Sequence, residues 1–180
     1  MRSIFRLSIL FPIGIVALGI TLVLLGFRFN TSDSIARGLY RLHHGAMDKN
    51  SYVLFCPDDR ESFKAGIQRG YLGVGFCPNR SGYLMKKVVA VTGDVISSDQ
   101  QGVRVNGRLL PFSKPIKQDG MGRNLKAWEV QHYTLKTNEL LTMTDQDPLS
   151  FDGRYYGIIN RGLIKGVITP VWVHKLKVVT

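Results

Sequence analysis

Apolar positions along this chain fall into two regimes. From Leu7 to Phe27 the residues read LSILFPIGIVALGITLVLLGF, a run without a single charge. As a helix rising 1.5 Å per residue, about 21 such residues span roughly 31 Å, enough to cross a bilayer core. The run therefore predicts a single N-terminal transmembrane helix. A cleaved secretory signal is the competing reading, because Arg2 and Arg6 precede the run, but signal cores are shorter, about 7–15 residues. No small-x-small cleavage site follows, since the run exits through LLGFRFN. Pro12, Gly14 and Gly19 also suit a membrane span better than a buried soluble helix.

Past the run, the pattern changes to short apolar stretches punctuated by Gly, Asn and Asp. Ser51–Phe55, Leu84–Val91, Gly102–Leu110, Ala127–Leu135, Leu140–Thr144 and Val167–Val173 read as strands. Asn106-Gly107 sits inside one of them and predicts a two-residue hairpin turn of type I′. One helix is predicted over Asp59–Tyr71, opened by Pro57-Asp58 and closed at Gly70. Regularly spaced strands with one short helix predict a mainly β domain of antiparallel sheet. The organisation is thus an anchor over residues 1–28 and a domain over 29–180, with no internal repeat and no low-complexity linker.

Charge sharpens this division. The chain carries 24 Lys+Arg against 13 Asp+Glu, a net of +11, yet 44% of its residues are hydrophobic. Those values exclude a disordered chain, collagen, a coiled coil and a multi-domain enzyme. The anchor takes three Arg and no acid, leaving 21 basic and 13 acidic residues, net +8, on the domain. Such an excess fits nucleic acid, anionic headgroups or no specific partner. The Lys and Arg are scattered without an aromatic-interleaved stripe, so no nucleic-acid partner is predicted. Arg2 and Arg6 place the N-terminus in the cytoplasm, although Arg28 flanks the other end.

Candidate chemistry is sparse. Cys56 and Cys77 flank the predicted helix, each followed by proline. Without a CxxC pair or suitably spaced His they form no zinc site, and no metal or cofactor is predicted. Outside the cytoplasm they would form a disulfide; in a reducing compartment they would be two buried thiols. No GxSxG elbow is present, and Ser34 is followed three residues later by Arg37, so SxxK fails too. His43, His44, His132 and His174 lie in no catalytic context. What remains is a hydroxyl-rich segment directly after the anchor, NTSDSIARGLY, Asn30 to Tyr40. Taken alone it reads equally as a juxtamembrane turn. Two further stretches accompany it in order: LMKKVVAVTGD, Leu84 to Asp94, and SFDGRYYG, Ser150 to Gly157.

With these boxes, an anchor and the Asn-Gly hairpin in this order, nearly the whole chain resembles the type I signal peptidase superfamily, enzymes with a Ser/Lys dyad. Gly38-Leu39-Tyr40 after the serine box and the paired cysteines look most like its TraF branch, peptidases of conjugative transfer that process pilin precursors. The resemblance implies a signal-peptidase-like catalytic domain in which Ser34 is the nucleophile and Lys86 the general base. It implies that Ser32 helps bind the oxyanion, that Ser150 orients the lysine, and that Asp152, Arg154 and Asp94 support the dyad. Alternation places Lys86 and Lys87 on opposite faces of a strand without saying which faces inward; the resemblance selects Lys86. Asp152 and Arg154, two apart in a segment read as extended, would share one face; by itself such a pair reads as a weak surface ion pair. Ala36 stands where the superfamily usually has Pro, Thr92 where Pro precedes Gly-Asp, and Gly153 where Ser is usual. TDQD occupies the place of the Gly-Asp-Asn-Arg stretch of housekeeping enzymes.

The resemblance thus implies a single-pass protein of the bacterial inner membrane with its catalytic domain on the periplasmic side. Its expected partners are a pilin precursor or other exported preprotein, the lipid bilayer and other conjugation components. An acyl-enzyme on Ser34 would be resolved by water or, to give a cyclic pilin, by the substrate's own amine. A general signal peptidase and a non-catalytic, membrane-tethered channel component are the alternatives.

Overall fold

A computed structural model describes the backbone of residues 2–174 and the side chains of residues 11–174. The side chains of Arg2 and Arg6, on which the expected orientation rests, and the domain's last residues, 175–180, lie outside the described residues. The chain opens with helix α1, Arg2–Leu24, which contains Pro12. Its described apolar side chains, among them Phe11, Val16 and Leu24, are exposed around the helix. Among the described residues, no helix is long and apolar enough to cross a membrane.

The rest is two antiparallel sheets. Strands β1 (Phe27–Asn30), β2 (Arg37–His43) and β3 (Tyr52–Phe55) precede helix α2 (Glu61–Gln68). Then come β4 (Leu84–Ala90), β5 (Val95–Asp99), β6 (Gly102–Val105), β7 (Arg108–Leu109), β8 (Val130–Thr134) and β9 (Glu139–Met143). A four-residue helix α3 (Gly153–Tyr156), β10 (Ile159–Asn160) and the long β11 (Ile164–His174) finish the domain. The larger sheet has the order β1-β2-β11-β3-β4-β9-β10 and the smaller β7-β6-β5-β8. The turn between β6 and β7 has positive φ at both Asn106 (52°) and Gly107 (79°), as a type I′ turn requires.

Two expectations are corrected. Among the described residues the domain holds two short α-helices instead of one, because Asp152 caps a turn that the sequence pattern reads as extended: its carboxylate accepts the Arg154 N–H. His43, read from the sequence with His44 as an exposed pair in a polar turn, instead ends strand β2. The predicted strands at 51–55, 84–91, 102–110 and 127–135 contain observed ones, and those at 140–144 and 167–173 overlap β9 and the longer β11; β1, β2, β5 and β10 are additional.

Three apolar clusters fix the sheets. One, around Val53, Phe55, Phe63, Leu84, Val88 and Tyr156, packs α2 and α3 on the larger sheet. A second, with Ala90, Ile96, Val103, Leu141 and Met143, joins the two sheets. The third places Ile35, Tyr40, Leu54 and Ile168 together. Ile35 follows Ser34, and Ser34 and Lys86 come together although β2 and β4 are three strands apart in the order, so the sheet coils strongly between them. Gly38 explains the Gly-Leu-Tyr that follows the serine box: it has φ 139°, and a Cβ there would overlap the Trp172 carbonyl of β11.

Cys56 and Cys77 form a disulfide with their Cα atoms 5.5 Å apart, closing the segment that holds α2. In the chain-entropy account a loop of this length contributes about 3 kcal/mol. The paired substitution Cys56→Ser with Cys77→Ser should therefore lower unfolding stability by roughly 3 kcal/mol, read from denaturant midpoints. Thiol labelling of the native protein should be silent until reduction. Equal midpoints, or thiols that label without reductant, would remove the bond from the account of stability.

Candidate active site

The site is built where β4 meets the loop between β1 and β2. Pairing of Asn30 with Gly38 closes that loop, so residues 31–37 have little freedom. Asn30 is buried and organises the loop from within. Its amide nitrogen donates to the carbonyls of Ser32 (2.9 Å), Ile35 (2.9 Å) and Ala36 (3.1 Å). Its amide oxygen accepts from the Ser32 N–H and hydroxyl, at 3.2 and 2.9 Å. The Tyr40 hydroxyl donates to the Ala36 carbonyl at 2.7 Å. These bonds hold the turn at Ala36, where the superfamily usually places a proline. The sequence pattern assigned no role to Asn30; its only signal was an amide opening the hydroxyl-rich segment.

Strand β4 alternates strictly between buried and half-buried residues, which decides between the two lysines. Lys86 shares the buried face with Leu84 and Val88. Lys87 faces outward, its Nζ 3.9 Å from the Asp145 carboxylate and 6.0 Å from the centre of the Tyr52 ring. Lys86 Nζ lies 2.5 Å from Ser34 Oγ and 3.0 Å from Ser150 Oγ, and the two hydroxyls are 2.9 Å apart. All three side chains are buried. Burial disfavours the ammonium and lowers the Lys86 pKa to about 8; Asp152 opposes the shift, and Arg154 assists it. An amine poised near neutrality, in contact with a hydroxyl, can take up that hydroxyl's proton.

Asp152 and Arg154 do meet, but not as a surface pair. Both side chains are 0% exposed. Asp152 Oδ1 accepts from Arg154 Nε at 2.8 Å, and Oδ2 accepts from Arg154 Nη2 at 2.9 Å. The guanidinium also donates to the carbonyls of Ser150 (2.7 Å), Pro148 (2.6 Å) and Lys114 (3.3 Å). All five of its N–H groups are thereby engaged, as burial of this charge demands. Gly153 sits between the two because a Cβ there would come 2.8 Å from both the Thr142 carbonyl and a Leu141 methyl. A serine has no room at this position.

Ser32 is exposed beside Ser34, with its hydroxyl donated to Asn30. Asp94 stands apart. It accepts from Lys49 (2.9 Å), Asn106 (2.7 Å) and the Val91 N–H (2.9 Å), and so fastens the turn ending β4 to the β6–β7 hairpin. None of its hydrogen bonds reaches the Ser34–Lys86–Ser150 group. Thr92 makes one exposed bond, to the Lys136 carbonyl at 3.2 Å. His43, His44, His132 and His174 are exposed. Among the described residues, no group of three or more His, Cys, Asp or Glu is placed to hold a metal.

A cleft of about 420 Å³ gives access to Ser34 and Lys86, between Phe29 and Asn30 of β1 and Leu84 and Met85 of β4. Val74, from the segment closed by the disulfide, forms part of its wall. A second cavity of about 340 Å³ meets the first at Ser34, Tyr71 and Phe151 and extends to Ser150. Tyr71 and Phe151, which line both, pack with ring centres 5.4 Å apart.

Comparison with known proteins shows the family to which the chain belongs. Residues 3–173 match the family described as signal peptidase, peptidase S26. Plasmid transfer protein TraF of Escherichia coli is 46% identical over 165 residues, covering 88% of this chain and 93% of that protein. The probable conjugal transfer protein TraF of Sinorhizobium fredii is 30% identical over 152 residues, covering 81% and 77%. The crystal structure of a signal peptidase I from Enterococcus faecalis is a distant likeness, at 16% identity and a TM-score of 0.40 over 71% of this chain and 100% of that one. By the family match and these relatives, the chain belongs to the signal peptidase family, peptidase S26.

Proposed function

We propose that this protein is a membrane-anchored serine endopeptidase that matures a pilin precursor for conjugative transfer. The observation that carries the reading is the buried contact of Lys86 Nζ with Ser34 Oγ at 2.5 Å. Neutral Lys86 takes the Ser34 proton as Oγ attacks the scissile carbonyl. Collapse of the tetrahedral intermediate breaks the C–N bond, and the Lys86 ammonium returns the proton to the leaving amine. Ser150 bonds both groups and holds the amine in line. The Ser34 N–H and the Ser32 hydroxyl, turned from Asn30 towards the cleft, donate to the oxyanion. Asp152 and Arg154 keep the lysine's surroundings fixed.

The conjugative role rests on the names of the relatives, plasmid and conjugal transfer proteins. Anchoring through residues 1–28 is supported by the charge-free run Leu7–Phe27 and by apolar side chains exposed around α1, as on a lipid-embedded helix. The Cys56–Cys77 disulfide supports an oxidising compartment for residues 29–180, hence the periplasmic face of the inner membrane. There the bilayer is a partner and confines the enzyme to precursors emerging beside it. The precursor adds an extended strand along the cleft beside β1.

Three outcomes follow. Ser34→Ala and Lys86→Ala should each abolish precursor processing in a folded, membrane-bound protein, and Lys86→Arg should fail as well, since arginine keeps its proton. Wild-type processing by both alanine variants would sink the dyad. Second, kcat/KM should rise with pH through about 8 and fall about tenfold per pH unit below it, because Lys86 works only when neutral. An acidic limb near the ordinary histidine range would point to a different base. Third, the intact mass of the mature subunit identifies what resolves the acyl-enzyme. Attack by the subunit's own amine leaves it one water lighter than the linear processed chain, and the full linear mass rules cyclisation out.

A further inference from the structure

The resemblance assigns no role to Thr144-Asp145-Gln146, which directly follows β9. Their hydrogen bonds converge on the backbone of Ser34. Thr144 Oγ1 donates to the Ser34 carbonyl at 2.8 Å, and the Asp145 N–H donates to the same oxygen at 3.4 Å. The direction of the threonine proton is set by the other partners of that hydroxyl. The N–H groups of Gln146 and Asp147 donate to Oγ1 at 3.3 and 3.0 Å, which occupies its lone pairs and leaves its proton for Ser34. Thr144's own N–H donates to Asp152 Oδ2 at 3.1 Å. The carbonyl after Ser34 is thereby tied to the carboxylate whose charge acts on Lys86.

Gln146 holds the peptide on the other side of Ser34. Its Nε2 donates to the Asp33 carbonyl at 3.1 Å. That carbonyl and the Ser34 N–H belong to one peptide plane, trans, in which they point in opposite directions. Fixing the Asp33 oxygen therefore fixes where the Ser34 N–H points. Among the described residues this N–H donates to no protein acceptor, whereas Asn30, Tyr40, Thr144 and Gln146 engage the carbonyls from Ser32 to Ala36 and that of Asp33. What sets the Ser34 N–H apart from the other N–H groups of the loop without a protein acceptor is its place beside the buried hydroxyl–amine contact, where it can serve as a prepared anion donor.

We propose that Thr144 and Gln146 are positioning residues that set the two peptide planes flanking Ser34, and that Gln146 aims the Ser34 N–H at the oxyanion. The proposal rests on the serine peptidase reading above. Gln146 also donates to the peptide's oxygen, which polarises the amide and strengthens its N–H as a donor. Neither residue touches the substrate. Their effect is on the transition state, where charge appears on the carbonyl oxygen, and little on substrate binding.

The test uses detergent-solubilised full-length protein with purified pilin precursor. Gln146→Leu, which removes the amide from a half-buried site, should lower kcat by about tenfold to a hundredfold with KM nearly unchanged. Its acidic limb should stay near 8, because the lysine is untouched. Thr144→Val should lose kcat similarly, and Thr144→Ser, which keeps the hydroxyl, should restore it. A peptide boronate with the precursor's residues before the cleavage site, whose adduct with Ser34 mimics the tetrahedral intermediate, should lose affinity in step with kcat/KM. Full activity of Gln146→Leu and Thr144→Val beside an inactive Ser34→Ala overturns the proposal and leaves the peptidase reading standing. Undiminished processing by Ser34→Ala overturns that reading instead. A rise in KM alone, or a displaced acidic limb, overturns the proposal by placing the segment's effect on binding or on Lys86.

Discussion

The desolvated amine of Lys86 is the constraint around which the domain is arranged. It lies on the buried face of a central strand, between Leu84 and Val88, and its polar contacts are the hydroxyls of Ser34 and Ser150. Hydroxyls satisfy the amine without fixing its charge. A carboxylate in contact would stabilise the ammonium and return the pKa to its ordinary range. Asp152 acts in that direction, and Arg154, bound to it through two hydrogen bonds, acts against it. The ion pair therefore organises the polar groups around the lysine while adding little net field, and desolvation sets the outcome. Loss of either partner would leave a buried charge uncompensated beside the amine.

That arrangement has a sign in the energetics of folding. The folded pKa of Lys86, about 8, lies below its ordinary value of 10.5, so the unfolded chain holds the proton more tightly. Stability therefore rises with pH between about 8 and 10.5, and below that window the folded state carries the whole penalty, on the order of 3 kcal/mol. The disulfide contributes a stabilisation of similar size, about 3 kcal/mol, by constraining the unfolded chain. It closes the segment bearing α2, whose Phe63 stacks on Tyr156 of α3, two residues from Arg154. A covalent constraint and a functional strain of comparable magnitude thus meet in one region of the fold.

Period-two alternation exposed the strands with strong apolar content, and the Asn-Gly turn fixed a hairpin, because both signals are local. Strands β1 and β2, FRFN and RGLYRLH, are short or interrupted by Arg28, Arg37 and Arg41 and contain no apolar run, so they escape a reading that looks for one. Alternation also told Lys86 from Lys87 in parity but not in direction; direction is set by β3 and β9 on either side and by the cluster under Leu84 and Val88. SFDGRYYG reads as polar and extended, yet Asp152 and Arg154 are fully buried, because an N-cap and a guanidinium whose five donors all find acceptors make burial tolerable. Those acceptors, the carbonyls of Lys114, Pro148 and Ser150, arrive from chain segments that no local pattern connects.

The same argument accounts for the loop that carries Ser34. With Ala36 in place of a proline, the loop has no stiffness of its own, and its shape is imposed by Asn30 from β1, Tyr40 from β2 and Thr144 with Gln146 after β9. Each of these contacts exists only once the larger sheet has coiled to bring the loop between β1 and β2 against β4. The lysine's lowered pKa depends on that same closure, since its cause is burial. On the proposed reading, reactivity of Ser34 is consequently a property of the assembled sheet: opening the sheet hydrates Lys86, restores its proton and releases the loop at once.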